Sequence, residues 1–399
     1  MPRVRRLAQL LPLVLAGGSL FWSGFMLGGH DGRPTVGPRL DPNVRLLSDA
    51  LARVRADYFR PVSSSWLTGA ALRAALTALD DPYSHYYDPA SWQQFTRAFS
   101  GANGFVGVGV ALAPDRRGLR IVRVFAHSPA SRARISAGQL ILAVNGRTLT
   151  GLPAEVAVAQ ISGRAGTPVS LTVGAGPTMR TVRLVRARVP DPSVTVRTLS
   201  RHGERILDVR VARFDSGTSN LVLHALAHAA TSGFRGAVLD LRGNTGGLVS
   251  EAITTASALL RKGATIVSLR TRAGAQETYL AAGDQSVARL PLIELVDHNT
   301  ISAGEIFTAA LKDNHRALII GQHTYGKGVF QELVPLPDGG GIELTIGEYF
   351  TPDGRNLGGG GTREGAGVTP DIQLPTGSLA TALRLTLQPS GGATRDHIR

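Results

Sequence analysis

Ser302 and Lys327 stand 25 positions apart, each in a turn of small residues, with the apolar run Ala317 to Ile320 between them. The serine lies in Asn299-Thr300-Ile301-Ser302-Ala303-Gly304-Glu305-Ile306, the lysine in Thr324-Tyr325-Gly326-Lys327-Gly328. A serine hydroxyl is a weak nucleophile at its own pKa and needs a partner that takes its proton. A lysine becomes that partner when burial disfavours its ammonium form and lowers its pKa. Upstream, Asp240-Leu241-Arg242-Gly243-Asn244-Thr245-Gly246-Gly247-Leu248 adds a glycine turn of the kind that offers backbone N–H groups to an oxyanion. The three segments read as the nucleophile, amine base and oxyanion cradle of an acyl-transfer site.

These blocks resemble those of the carboxy-terminal processing peptidases, serine–lysine proteases that commonly carry a PDZ domain. In that family the nucleophile stands three residues before a Glu in a Ser/Ala-rich turn, which matches Ser302 before Glu305. The usual Ser-Ala-Ser-Ala-Ser reads Asn-Thr-Ile-Ser-Ala-Gly here. The family's base follows in Thr-Phe-Gly-Lys-Gly, matched by Lys327 with Tyr325 in place of Phe. A glutamine four residues past the lysine is matched by Gln331. The family's Asp-Leu-Arg-Asn-Asn-Pro-Gly-Gly-Leu is matched at 240–248, with Gly243 and Thr245 substituted. The resemblance spans roughly residues 45 to 375. It implies Ser302 as nucleophile, Lys327 as base and Gln331 as the group that holds the amine. It also implies oxyanion donors at Ala303 and at Gly246 or Gly247. A helix N-terminus behind Ser302 favours the same role for the Ala303 N–H. The implied core is a mixed α/β, crotonase-like serine peptidase that needs no metal or organic cofactor.

Each element of this site has a plainer reading when taken singly. A serine before a helix is usually an N-cap, and a lysine between glycines is usually solvated. Their occurrence together with Gln331, the glycine turn and a PDZ-like segment reverses that preference. Asp240 and Arg242 read as a structural pair. Gly321 to Lys327 fits part of a phosphate loop, but Gly328 stands where a magnesium-binding Ser or Thr is required, and a strand follows instead of a helix. His224 and His228 lie four apart on one helix face without the glutamate of a zinc motif, so they read as ordinary helix residues. No Gly-x-Ser-x-Gly elbow is present. His298, His315 and His323 compete with Lys327 as bases but lack its spacing match.

The positioning elements follow from the hydrophobic pattern. From Pro190 onward strands alternate with helices, as in a mixed α/β core. Strands are expected over Ile206–Phe214, Gly236–Leu241 and Leu290–Val296, and helices over Asn220–Ser232 and Ser250–Leu260. The strand ending at Val296 delivers Ser302 to the head of another helix. Between Gly104 and Val189, short strands and turns resemble a PDZ domain. Phe105-Val106-Gly107-Val108-Gly109-Val110 matches its carboxylate-binding loop and following strand, and Ser128-Pro129-Ala130 with Gly138 to Gly146 completes the pattern. Gly107, Val108, Gly109 and Val110 are therefore the candidate peptide-binding residues. Glycines let successive N–H groups converge on a terminal carboxylate while the strand pairs with the peptide. Leu79-Asp80-Asp81-Pro82-Tyr83-Ser84 resembles the family's Leu-Asp-Pro-Tyr-Ser and reads as a helix stop without a catalytic role.

Composition bounds the rest. A chain of 399 residues exceeds one ordinary domain, and 43% hydrophobic content suffices for packed cores. There is no cysteine, which excludes disulfides, thiolate zinc sites and a cysteine nucleophile. The 43 lysines and arginines against 29 aspartates and glutamates leave a net charge of +14. No nucleic-acid motif accompanies that charge, so it reads as a basic solvated surface. Arg3, Arg5 and Arg6 precede an uncharged stretch from Leu7 to Gly29, whose length favours a retained membrane anchor over a cleaved signal. The expected organisation is an anchor or signal over 1–29, a linker over 30–44, a helical region over 45–103, a PDZ domain over 104–189, the peptidase core over 190–388 and a disordered tail over 389–399. The resemblance implies a bacterial cell-envelope protein, anchored in the inner membrane or periplasmic. Its partners would be proteins or peptides with free C-termini, with room for a homo-oligomer or an activator protein. The alternative is a catalytically silent PDZ adaptor at the membrane surface.

Overall fold

The computed structural model describes residues 41–98, 104–150, 154–175, 178–283, 287, 290–359, 361, 363, 366–374 and 379–386. The chain divides into one unit up to Leu72 and a second from Arg73 onward. In the first, the helix Pro42–Asp57 starts on Asp41, whose side chain accepts the Asn43 N–H, so it begins inside the stretch expected as linker. None of its residues is buried. The expected anchor and the expected tail lie outside the described residues. Among the described residues, no helix is long and apolar enough to cross a membrane.

Within the second unit, the region expected as the peptidase core is built on a six-stranded sheet. Its order is Val194–Arg201, Glu204–Val211, Gly236–Asp240, Leu292–Val296, Leu318–Gly321 and Ile372–Gln373. The first pair is antiparallel and the remaining four pairings are parallel. Gly236–Asp240 and Leu292–Val296 are buried along their whole length. That is why they read as near-continuous apolar runs, since a parallel sheet is covered on both faces. One face packs under the helices Thr218–Thr231, Val249–Leu259 and Ala303–Asp313. The other gathers Ile206, Val238, Ile293, Leu295 and Ile320 against Ile372, Leu374 and Leu385.

A second, antiparallel sheet is organised by the long strand Gly341–Phe350. It pairs with Val329–Pro335, with Thr265–Thr271 and with His85–Tyr87. Within the span 45–103, expected as a helical region, His85–Tyr87 is a strand of this sheet and is followed by the helix Pro89–Ala98. Tyr87, Trp92 and Phe95 cluster there, with Tyr87 and Phe95 stacked at 4.5 Å between centroids.

The PDZ sheet runs Val110–Asp115, Gly118–Val124, Leu140–Val144, Pro168–Ala175, Thr178–Val185 around its own apolar core. The incoming strand Phe105–Gly107 pairs with the outgoing strand Ala187–Val189, so the domain leaves and rejoins the chain at one point. Val110–Asp115 is an edge strand of that sheet.

Candidate active site

Three loops that carry the predicted residues all leave the C-terminal ends of adjacent parallel strands. The glycine turn follows Gly236–Asp240, the serine loop follows Leu292–Val296, and the lysine loop follows Leu318–Gly321. Loops at these strand ends are where open α/β sheets bind ligands. The loops are stitched together by backbone. Ile301 N–H donates to Asn244 O at 2.9 Å and Tyr325 N–H to Thr300 O at 3.1 Å. The Thr300 hydroxyl donates to Leu241 O at 2.9 Å, and Gly243 N–H to Asp297 Oδ1 at 2.9 Å.

Ser302 is the N-cap of the helix Ala303–Asp313 and has φ 56° and ψ −116°. A non-glycine residue with positive φ is held there against its own preference, and such strain gathers at functional sites. Glu305, one helical turn on, holds the position. It is fully buried, and Oε2 accepts the Ser302 N–H at 3.0 Å. The same carboxylate accepts the Lys327 N–H at 3.0 Å, the Gly326 N–H at 2.7 Å and the Thr324 hydroxyl at 2.6 Å. Burial pushes this carboxyl up, while the hydrogen bonds from Thr324, Gly326, Lys327 and Ser302 pull it back. Three of those donors are backbone N–H groups that cannot accept, and the Thr324 oxygen already accepts the Val368 N–H at 2.7 Å. The four bonds therefore suit the ionised form.

Of the expected oxyanion donors, the Gly246 N–H is engaged by Asn244 Oδ1 at 2.9 Å. The Ala303 and Gly247 N–H groups have no partner among the described residues. Gly246 still serves the site by its smallness. A Cβ there would stand 3.0 Å from the Ser302 Cβ and from Ile301 O.

Lys327 is 8% exposed, and its Nζ donates to Gln331 Oε1 at 2.7 Å. Burial lowers the pKa of this amine, against the opposing pull of Glu343, Asp81 and Glu305. A bulge between Phe330 and Gln331 puts Gln331 opposite Thr345, to which its Nε2 donates at 3.0 Å. Among the described residues no hydrogen bond joins Ser302 Oγ to Lys327 Nζ; the amine is turned to Gln331. Sequence reasoning passed over Tyr83. Its ring centroid lies 4.1 Å from Lys327 Nζ, and the neighbouring Ser84 Oγ accepts the Thr345 N–H at 3.1 Å. The quoted Asp-Pro-Tyr-Ser phrase was the available signal.

The other candidates fall outside this group. Arg242 grips Asp240 at 2.8 and 2.7 Å, as a structural pair should. His298 meets Gln322, and His323 meets Gln373 and Thr369. Among the described residues no cluster of side chains fits a metal ion. In the PDZ domain, the Val108 and Gly109 N–H groups are without partners among the described residues. Gly107 belongs to the incoming strand and Val110 begins the edge strand, beside which the helix Ala154–Ile161 packs.

Comparison with known proteins agrees with this architecture. The family model described as "Peptidase family S41" matches residues 205–374, and that of the "PDZ domain" matches 96–174. A carboxyl-terminal-processing protease of Picosynechococcus sp. is 32% identical over 326 residues, covering 81% of this chain and 77% of that protein. A Staphylococcus epidermidis protein described as "Probable CtpA-like serine protease" is 30% identical over 337 residues, or 84% of this chain. The chain spans 66% of that relative's length, about two thirds. The solved photosystem II D1 C-terminal processing protease superposes with a TM-score of 0.60 at 28% identity, over 84% of this chain and 94% of that one. Fold and matches define the class as a serine-type peptidase core with an inserted PDZ domain. The chain belongs to the carboxyl-terminal-processing proteases of peptidase family S41.

Proposed function

We propose that the chain is an endopeptidase working outside the cytoplasm of a bacterial cell, with Ser302, Lys327 and Gln331 as its catalytic set. The neutral Lys327 amine takes the Ser302 proton as the oxygen attacks a peptide carbonyl. The oxyanion is met by the Ala303 and Gly247 N–H groups. The ammonium returns its proton to the leaving amine, an acyl-enzyme remains, and water attacks it with Lys327 again as base. Transfer requires the serine hydroxyl and the lysine amine to come within hydrogen-bond reach. The PDZ domain receives a substrate's free C-terminus, its carboxylate on the Val108 and Gly109 N–H groups and its strand on the edge Val110–Asp115. Half-buried Val110, Leu112 and Val158 on the PDZ core suit an apolar C-terminal side chain.

The observation that carries this reading is a buried lysine of lowered pKa, hydrogen-bonded to Gln331 and joined through Glu305 to the serine backbone. The export side rests on Arg3, Arg5 and Arg6 before the apolar stretch to Gly29, and cell fractionation tests it. The chemistry is tested with an unfolded protein bearing an apolar C-terminus. Ser302→Ala and Lys327→Ala should each abolish its turnover, and a serine-reactive probe should label the wild type at Ser302. Turnover by Ser302→Ala sinks the mechanism, and a wild type that neither cleaves nor labels favours the adaptor.

A further inference from the structure

Gly246 and Gly247 are neighbours in one turn, yet of their two N–H groups only that of Gly246 has a partner among the described residues, and the partner is a side chain. Asn244 is fully buried, and its carboxamide has one possible orientation. The Gly246 N–H only donates, so it meets Oδ1 at 2.9 Å; the Val211 carbonyl only accepts, so it meets Nδ2 at 2.9 Å. The backbone oxygen of Asn244 accepts the Ile301 N–H at 2.9 Å, one residue before the nucleophile. Oδ1 also abuts Gly304 in the first turn of the serine helix, where a Cβ would stand 2.9 Å from it. One residue thus ties together the glycine turn, the serine loop and the strand Glu204–Val211. The next peptide unit is fixed from its oxygen. Phe214 N–H donates to Gly246 O at 2.8 Å, and Leu248 N–H to Phe214 O at 2.7 Å. In a planar trans peptide the C=O and N–H point in opposite directions. The Gly247 N–H shares that unit with Gly246 O, so it is turned away from Phe214. A Cβ at Gly246 would lie 3.0 Å from the Ser302 Cβ and 3.4 Å from the Ala303 nitrogen, so the turn lies against the Ser302–Ala303 peptide. Gly246 and Gly247 have φ +88° and +124°, and glycines resist rotation least of all residues. The turn therefore keeps its shape through these external bonds.

We propose that Asn244 is the positioning residue of the oxyanion hole. By taking the Gly246 N–H and anchoring to Val211 and Ile301, it holds the Gly247 N–H where it meets the same oxyanion as the Ala303 N–H. Asn244 touches no reacting atom itself. This rests on the reading of Ser302 as nucleophile. Asn244 is also a buried structural residue, so the test must separate positioning from folding.

A peptide aldehyde provides the probe. The Ser302 O–H adds across its C=O, and the former carbonyl oxygen takes the place of the oxyanion. In a crystal structure of the wild-type adduct, that oxygen should lie within hydrogen-bond reach of the Gly247 and Ala303 nitrogens, with the Gly246 N–H still on Asn244. Asn244→Ala should lower kcat about 10-fold or more with KM little changed. It should weaken the aldehyde by a comparable factor, because the adduct resembles the transition state. The aldehyde's Ki does not depend on how much of the sample is folded. A merely structural role would reduce the active fraction and leave Ki unchanged. Thermal melts check folding, and the wild-type adduct decides alone if Asn244→Ala does not fold. An adduct oxygen bonded to the Gly246 N–H, or a wild-type Ki in folded Asn244→Ala, overturns the proposal and leaves Ser302 and Lys327 standing. A wild type that forms no adduct at Ser302 overturns both readings.

Discussion

Glu305 Oε2 accepts the backbone N–H of Lys327 at 3.0 Å, and the same oxygen accepts the N–H of Ser302 at 3.0 Å. One buried carboxylate thus fixes the spacing between a loop that ends one parallel strand and a loop that ends its neighbour. The clamp acts on the two backbones, while the lysine side chain is held separately by Gln331.

Replacing Glu305 should therefore uncouple the two loops. Glu305→Gln fills the same volume, but its NH2 would face N–H donors, leaving at least one buried and unpaired at about 1–3 kcal/mol each. The expected result is a fold weakened by roughly 2–4 kcal/mol with activity lost well beyond that of a distant destabilised control. Denaturant melts and single-turnover rates measure the two effects, and an active, fully stable Glu305→Gln would refute the clamp.

Lys327 works as a base only when unprotonated, which fixes the sign of the pH dependence. Burial lowers its pKa from the ordinary 10.5, so kcat/KM should rise with pH through a midpoint below that value. Lys327→Arg should be inactive, because guanidinium stays protonated. A lowered lysine pKa also means that the folded state binds fewer protons than the unfolded chain between the lowered pKa and 10.5. The cost of burying the ammonium is complete below that window and fades as pH rises through it. Lys327→Met should abolish turnover yet raise the melting temperature at pH 7; an unchanged or lowered melting temperature would contradict it.

The sequence was informative where local pattern and spacing suffice. The fully buried strands Gly236–Asp240 and Leu292–Val296 announce themselves as apolar runs, and the serine and lysine loops carry short, specific motifs. The second sheet was much harder to see. Thr265–Thr271 and Gln276–Leu280 mix apolar and polar residues without a clean period of two, and His85–Tyr87 is only three residues long. Its partner strand lies more than 250 residues away, so no local periodicity announces the pairing. The same separation hid Asp81, Tyr83 and Ser84, since the Ser84 to Thr345 bond spans 261 positions. Within the glycine turn, residue type alone could not tell which N–H is free; the Asn244 side chain decides that by occupying Gly246.

Glu294 is fully buried in Leu292–Val296, and burial pushes its carboxyl up to about 8. The Thr308 hydroxyl lies 2.9 Å from Gly304 O and 2.5 Å from Glu294 Oε1. A hydroxyl has one proton, and if it goes to Gly304 the short contact is a protonated carboxyl donating to Thr308. Between pH 4.5 and about 8 the folded state then holds a proton that the unfolded chain has released. Stability is complete below that window and is lost as pH rises through it, by a few kcal/mol at about 1.4 kcal/mol per unit. Glu294→Gln keeps a donor for Thr308 and removes the titration. Urea unfolding at pH 5, 7 and 8.5 should show a flatter profile in the variant, which should be the more stable protein at pH 8.5. Parallel profiles would assign the wild-type slope to other groups.

The PDZ loop offers the cleanest separation of recognition from chemistry. Gly109 has φ +85°, and a Cβ there would fall 2.0 Å from the Ser128 Cβ, while Ser128 Oγ donates to Gly109 O at 3.3 Å. Gly109→Ala must therefore displace the loop whose Val108 and Gly109 N–H groups have no partner among the described residues. Gly107 is less demanding, since a Cβ there meets only the edge of the Phe105 ring at 3.3 Å. A hydrogen bond to a charged group contributes about 1.5–3 kcal/mol, so losing the carboxylate contact should cost roughly 10-fold or more in kcat/KM. Gly109→Ala and amidation of the substrate's C-terminus should each produce that loss, and together they should lose little more than either alone. Labelling of Ser302 by a small serine-reactive probe should be preserved in Gly109→Ala. Equal cleavage of free-acid and amidated substrates by the wild type would remove the carboxylate from the recognition scheme and leave the serine and lysine assignments untouched.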